Sequence, residues 1–233
     1  MDPGSRSVRV MAGSERIVLL GDVHGNAPAF DAVLAAVADE GITLGLITGD
    51  LVLRGLEPER CVRRAMELGW PCVGGNTDRR VANKSLKPDT DVRGMRPGSR
   101  TWTRAHLSDT AVAWLAHLPA VAEITLGAHR IVAIHGDRTV PPGRIDEYES
   151  DHDLIATMDA LGADALVVGH THQPMIRRVR GGLVINPGSV GEGSPDDLRP
   201  SWAWIGIGPH GLDAGLERLD APLAPPRPDH HGA

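Results

Sequence analysis

The sequence predicts an α/β fold in which two packed sheets carry helices on their outer faces. Two observations predict it. In the first half, short apolar runs closed by glycine alternate with stretches of helical periodicity. In the second half, strand-like runs follow one another across loops. The size agrees, since 233 residues, 41% of them hydrophobic, can bury a core as one domain.

The elements follow in order. "RIVLLGD" (16–22) reads as a buried strand, because its apolar residues are continuous rather than alternating. "PAFDAVLAAVADEG" (28–41) reads as a helix, with Pro28 suited to a first turn and Gly41 to a stop. "LGLITGD" (44–50) is a second strand, "EPERCVRRAMELG" (57–69) a second helix and "PCVGGN" (71–76) a third, shorter strand. This β-α-β-α-β order implies largely parallel pairing with helical crossovers. "EITLGAHRIVAIHGD" (123–137) reads as a hairpin turning at Gly127 and Ala128. Further strands are expected at 163–172, 182–191 and 201–208, and helices at 108–117 and 151–161.

Residues 1–14 read as a flexible leader, 15–220 as a single domain and 221–233, rich in proline and polar residues, as a disordered tail. His230 and His231 belong to that tail and are not taken as ligands. The net charge is −6 and the 24 basic residues include only Lys84 and Lys87 as lysines, a balance that argues against a stable nucleic-acid complex. No run of 18 apolar residues occurs, so no membrane span is expected. Cys61 and Cys72 are in neither a metal nor a redox spacing, and reduced thiols in a cytoplasmic protein are the simplest reading.

The chemistry lies at the strand ends. Five apolar runs terminate on side chains able to bind metal: Asp22 with His24, Asp50, Asn76, His135, and His170 with His172. Glycine stands beside Asp22, Asp50, Asn76, His135 and His170, where it allows a sharp turn and a close backbone approach. In an open α/β sheet such ends converge on one edge. The set supplies oxygen and imidazole nitrogen without thiolate, which suits Mn²⁺, Fe²⁺ or Zn²⁺. Seven ligands exceed what one closed structural zinc takes and suit two ions sharing a carboxylate.

These segments are "GDVHGN" (21–26), "GDLV" (49–52), "GNTD" (75–78), "HGD" (135–137), "GHTH" (169–172) and "NPGS" (186–189). Together they resemble the calcineurin-like metallophosphoesterase superfamily, especially small bacterial phosphodiesterases and dinucleoside-tetraphosphatase-like proteins. The resemblance implies a four-layer αββα sandwich of two mixed sheets with a dinuclear site. It would give Asp22, His24 and His172 to one metal, Asn76, His135 and His170 to the other, and Asp50 to both. It implies two divalent ions, with Mn²⁺ first, and in-line attack on a phosphoester by a hydroxide bridging them. The expected substrate is a small phosphodiester or nucleotide-like phosphate. The rival activities are symmetric dinucleoside tetraphosphate hydrolysis and serine/threonine protein phosphatase activity, and the rival of another class is a non-catalytic binding scaffold.

The pattern departs at Thr77, where many relatives carry a histidine placed to stabilise phosphate or protonate the leaving group. A threonine hydroxyl can donate a hydrogen bond but is no acid near neutral pH. Aryl-like esters, pyrophosphate linkages and reactive diesters are therefore favoured over alkyl phosphates. Thr77 can equally be a turn hydroxyl capping local backbone. Asn26 and Asp78 are candidates to orient the ligands. Residues 78–104 hold eight basic and three acidic side chains, the most basic stretch of the chain. With their flanks, around 77–107, they read either as a lid over the site or as a solvated loop. Arg79 and Arg80 there, and Arg138 after "HGD", are candidate phosphate contacts. Trp102 can stack on a nucleobase or, as the simpler reading, bury its ring against the helix at 108–117.

Overall fold

The structure is a computed structural model that describes residues 6–10, 16–86, 91, 93–137, 139–140 and 144–221. Its strands form two sheets. The four-stranded sheet has the order β10-β9-β2-β3, built from β2 (Arg16–Leu20), β3 (Gly45–Ile47), β9 (Ser201–Gly208) and β10 (Gly211–Arg218). The six-stranded sheet has the order β1-β4-β5-β6-β8-β7. It is built from β1 (Arg6–Val10), β4 (Val121–Leu126), β5 (His129–Ile134), β6 (Ala165–Val167), β7 (Met175–Val179) and β8 (Gly182–Asn186). Both are mixed: β2 runs parallel to β3 and antiparallel to β9, and β5 runs parallel to β6 and antiparallel to β4.

The central strands are apolar throughout because both of their faces are covered. Along β2, Ile17 and Leu19 face the other sheet, where they meet Ile124, Ile131, Val167 and Ile185. Val18 and Leu20 face the opposite way, onto Phe30 and Val33 of α1 (Ala27–Asp39), Cys61 and Val62 of α2 (Pro58–Leu68) and Leu115 of α5 (Asp109–Ala116). The outer face of the six-stranded sheet presents Ile134, Leu166 and Val184 to Leu154 and Met158 of α6 (Asp151–Leu161). The period-two alternation of strand side chains thus generates helix, sheet, sheet and helix in four layers.

Several expectations change in detail. Residues 71–76 form no strand: Cys72 makes only an isolated parallel bridge to Ile47. Gly74 and Gly75 follow at once, and the chain turns into the short helix α3 (Asn76–Ala82). Residues 6–10 of the expected leader instead pair as β1 along β4, whose outer edge offers unpaired backbone groups. The stretch 77–107 is not one loop, since α3 occupies its start and α4 (Arg100–Ala105) its end. β7 and β10 escaped the sequence reading because "MIRRV" and "GLDAGLER" contain no continuous apolar run. Residues 222–233, nearly all of the expected tail, lie outside the described residues. No helix among the described residues is long and apolar enough to cross a membrane.

Candidate metal centre

The strand ends of the two sheets meet in one cluster, and the backbone there is unusual. Asp22, His24, Asp50, His170 and His172 all have left-handed φ values, between 50° and 71°. Non-glycine residues rarely adopt this conformation, and each instance costs on the order of 1–3 kcal/mol unless surrounding contacts enforce it. Here hydrogen bonds enforce it. The Asp22 amide donates to Gly49 O at 3.0 Å, and the His24 amide to Asp50 O at 2.9 Å. The "GDVH" and "GD" turns are therefore zipped side by side as continuations of β2 and β3. Two glycines make room for the carboxylates. A Cβ on Gly75 would stand 2.0 Å from Asp50 Oδ1, and one on Gly169 would stand 2.7 Å from Asp22 Oδ2.

Two groups of donors result. Asp22, His24 and His172 offer atoms within 4.8 Å of one another, as do Asp22, Asp50 and His135. In the first group His24 Nε2 lies 3.0 Å from His172 Nε2, which itself lies 3.2 Å from Asp22 Oδ1. In the second, His135 Nε2 is 3.5 Å from Asp50 Oδ1, and Asn76 Oδ1 is 3.1 Å from His135 Nε2 and 2.9 Å from His170 Nδ1. Asp50 touches both sets, its Oδ2 being 3.8 Å from His24 Nε2. All seven sequence-predicted ligands are thus together.

The cluster suits a cation. Asp22 Oδ1 is buried with no hydrogen-bond partner, a costly state for a carboxylate oxygen. Two imidazole nitrogens pointed at each other need a proton or a cation between them. Oxygen and nitrogen donors without thiolate match divalent first-row ions.

Comparison with known proteins then decides the family. The pattern of the calcineurin-like phosphoesterase superfamily domain matches residues 16–205. The chain belongs to that superfamily. A crystallised metallophosphoesterase from Sphaerobacter thermophilus superposes with a TM-score of 0.70 at 25% identity, over 89% of each chain. A hypothetical protein from Pyrococcus horikoshii shares the fold, with a TM-score of 0.72 at 20% identity over 88% of this chain and 87% of that one. An uncharacterised protein of Methanocaldococcus jannaschii is 28% identical over 191 residues, 76% of each chain.

Around the cluster a second set of contacts holds the candidate ligands in place. His135 Nδ1 is 2.7 Å from Thr48 O, so a proton there donates to the carbonyl and turns Nε2 toward the cluster's donors. Asp78 accepts from Gly75 N at 3.0 Å, Leu51 N at 2.9 Å and Val52 N at 3.2 Å, tying the "GDLV" turn to "GNTD". Asn26 caps α1 by accepting from Ala29 N and donates to Gly191 O at 2.8 Å. It therefore braces a neighbouring loop rather than a ligand. The "NPGS" segment is structural, as read: Asn186 Nδ2 donates to Gly169 O, and Ser189 Oγ to Asp22 O at 2.7 Å.

The outer candidates divide. Thr77 does not face the cluster with its hydroxyl. Oγ1 donates to Val52 O at 2.9 Å while the amide donates to Asp50 Oδ1 at 2.8 Å. The phosphate-contact expectation for Thr77 is therefore corrected in favour of the turn hydroxyl, since a buried hydroxyl satisfies itself on the nearest carbonyl. Arg79 bonds Gly74 O, Asp137 and Thr139, and Arg80 lines the same open pocket beside Asn76. Arg138 lies outside the described residues. Trp102, expected to bury its ring against α5 or to stack on a nucleobase, is half-buried. It stacks on His106 with centroids 3.7 Å apart, one helical turn away.

Glu192 was missed. Its Oε2 lies 3.5 Å from His172 Nδ1, 3.9 Å from His24 Nε2 and 2.5 Å from Arg54 Nη1. It follows the "NPGS" turn in a glycine-rich loop with no metal-like spacing, so only the fold reveals it.

The charges compete for protons. Burial opposes a charge on His135, but Asp50 and Asp22 override it and push the imidazole up to about 10. Burial likewise opposes ionisation of Asp50, and His135 and His24 override it, holding that carboxyl far below the usual range. Burial alone dominates at His24 and lowers it. Burial, followed by the Asp50 charge, raises Asp78 to about 7.

Proposed function

We propose that this chain is a dinuclear metal-dependent phosphoesterase that hydrolyses a small phosphodiester or nucleotide-like phosphate, with Mn²⁺ as its working ions. The observation that carries the reading is Asp50. Its Oδ1 faces His135 at 3.5 Å and its Oδ2 faces His24 at 3.8 Å, the disposition a carboxylate needs to serve two cations at once. Asp22, His24 and His172 would hold one ion, and Asn76, His135 and His170 the other. Bound there, the ions supply an activated water nucleophile and neutralise charge on the phosphoryl oxygens.

The chain's own residues orient and exclude. Asp22, His24, Asp50 and His135 are at most 2% exposed, which keeps bulk water from the floor of the site. Asn76 commits its Oδ1 to the histidines and keeps its amide donors for a phosphoryl oxygen. With the Thr77 hydroxyl bound to Val52 O, no side chain at that position protonates a leaving group. Aryl esters, reactive diesters and phosphoanhydrides, whose leaving groups need little help, are the substrates this favours. The same argument counts against a protein phosphatase acting on phosphoserine. The complete ligand set counts against a pure scaffold, since a buried strained cluster has little purpose in binding alone. Cys61 and Cys72, both buried and in no disulfide, fit a reducing cytoplasmic setting.

The test is turnover of bis-(p-nitrophenyl) phosphate by metal-stripped protein to which Mn²⁺ is returned. Release of p-nitrophenol that appears with the ion and vanishes with EDTA is the expected result. Folded protein that is inert with every divalent ion would end this reading.

A further inference from the structure

Beside Asn76, an open pocket of about 370 Å³ is lined by Arg79, Arg80, Asn83, Arg100, Asp137 and Thr139. Its charge is unbalanced. Three guanidinium groups share it with one carboxylate, and that carboxylate is taken: Asp137 pairs with Arg79. Arg80 from α3 and Arg100 from the start of α4 make no ion pair or hydrogen bond among the described residues, although most of the described arginines do. They come from separate segments and line one pocket together with Asn76, a proposed ligand. Guanidinium groups that no carboxylate has taken are open to an anion, and their planar donors fit phosphate.

We propose that this pocket is a subsite for a second phosphate of the substrate, separate from the phosphate that is cleaved. Arg80 and Arg100 grip it, Asn83 adds amide donors, and Arg79 is held by Asp137 as the fixed back wall. The inference rests on the phosphoesterase reading and narrows it to phosphoesters that carry an additional phosphate. The volume agrees, because it is near the low end of ordinary ligand pockets and well above what a single phosphate fills.

The test holds the scissile bond constant. Thymidine 5′-(p-nitrophenyl phosphate) is compared with the same compound phosphorylated at the 3′ position, using Mn²⁺-loaded full-length protein. The 3′-phosphate should raise kcat/KM by about tenfold for each guanidinium that binds it, the effect of one charge-assisted hydrogen bond. In R80A/R100A that ratio should fall to about one, and R80K/R100K should recover part of it because the charge is kept. A wild-type ratio near one, or the same ratio in R80A/R100A, overturns the subsite and leaves the hydrolase standing. No turnover of either compound by folded wild-type protein removes both.

Discussion

His24 and His172 stand Nε2 to Nε2 at 3.0 Å although 148 residues separate them in the chain. Each sits in a left-handed turn at the end of a different sheet, and Asp22 Oδ1 lies 3.2 Å from the His172 nitrogen. Such a juxtaposition needs a proton or a cation between the two nitrogens, and the proposed first ion would supply the cation. Replacing His172 with alanine should reduce bound Mn²⁺ from two ions per chain to about one and lower kcat/KM by about a hundredfold or more, one side of the clamp having been lost. Metal analysis of the purified variant checks this, and an unchanged ion count would contradict the assignment.

Glu192 predicts a graded effect. It approaches both histidines of the first group and is held by Arg54. Glu192→Gln removes negative charge without emptying the space, so Mn²⁺ affinity should fall by about tenfold while the stoichiometry stays the same. Titration calorimetry reads both quantities, and an affinity equal to that of the parent would leave Glu192 as loop structure only.

Thr77 and Asp78, adjacent in sequence, predict opposite outcomes. Thr77→Val breaks one buried hydrogen bond to Val52 O and should cost about 1 kcal/mol of stability with little change in kcat. A large loss of kcat at unchanged stability would restore a chemical role to the hydroxyl. Asp78→Ala strands the amides of Leu51, Val52 and Gly75, and should cost about 3 kcal/mol or more and weaken metal binding with it. Denaturant unfolding with and without Mn²⁺ separates the two effects.

The metal-free protein should lose stability toward alkaline pH. His135 has its folded value raised from 6.5 to about 10. Its contribution is therefore complete below 6.5 and lost as pH rises through about 10. Asp78, raised from 3.8 to about 7, acts with the same sign in a lower window, its contribution being lost as pH rises through about 7. Thermal unfolding in EDTA should show Tm falling between pH 7 and pH 10, a slope that Asp50→Asn should flatten because Asp50 is the main group raising His135. An equal slope in the variant would show that His135 does not titrate against Asp50.

Much of this was legible in the sequence because strands buried on both faces leave continuous apolar runs, and glycine marks where they end. That device marks the seven residues that the structure brings into one cluster. What stayed hidden has physical reasons. β7 and β10 lie at sheet edges, where alternating or charged residues blur the signal. Thr77 turns away from the cluster because helix α3 begins at Asn76, which a strand reading of 71–76 could not foresee. Glu192 reaches the site only through the packing of its loop, which Ser189 and Asn26 hold against the Asp22 turn.

The shared carboxylate can be measured directly. Anomalous diffraction from Mn²⁺-soaked crystals should reveal two peaks about 3.5–4 Å apart with one oxygen of Asp50 on each. A single peak, or two peaks too far apart for one carboxylate to reach both, would contradict the account.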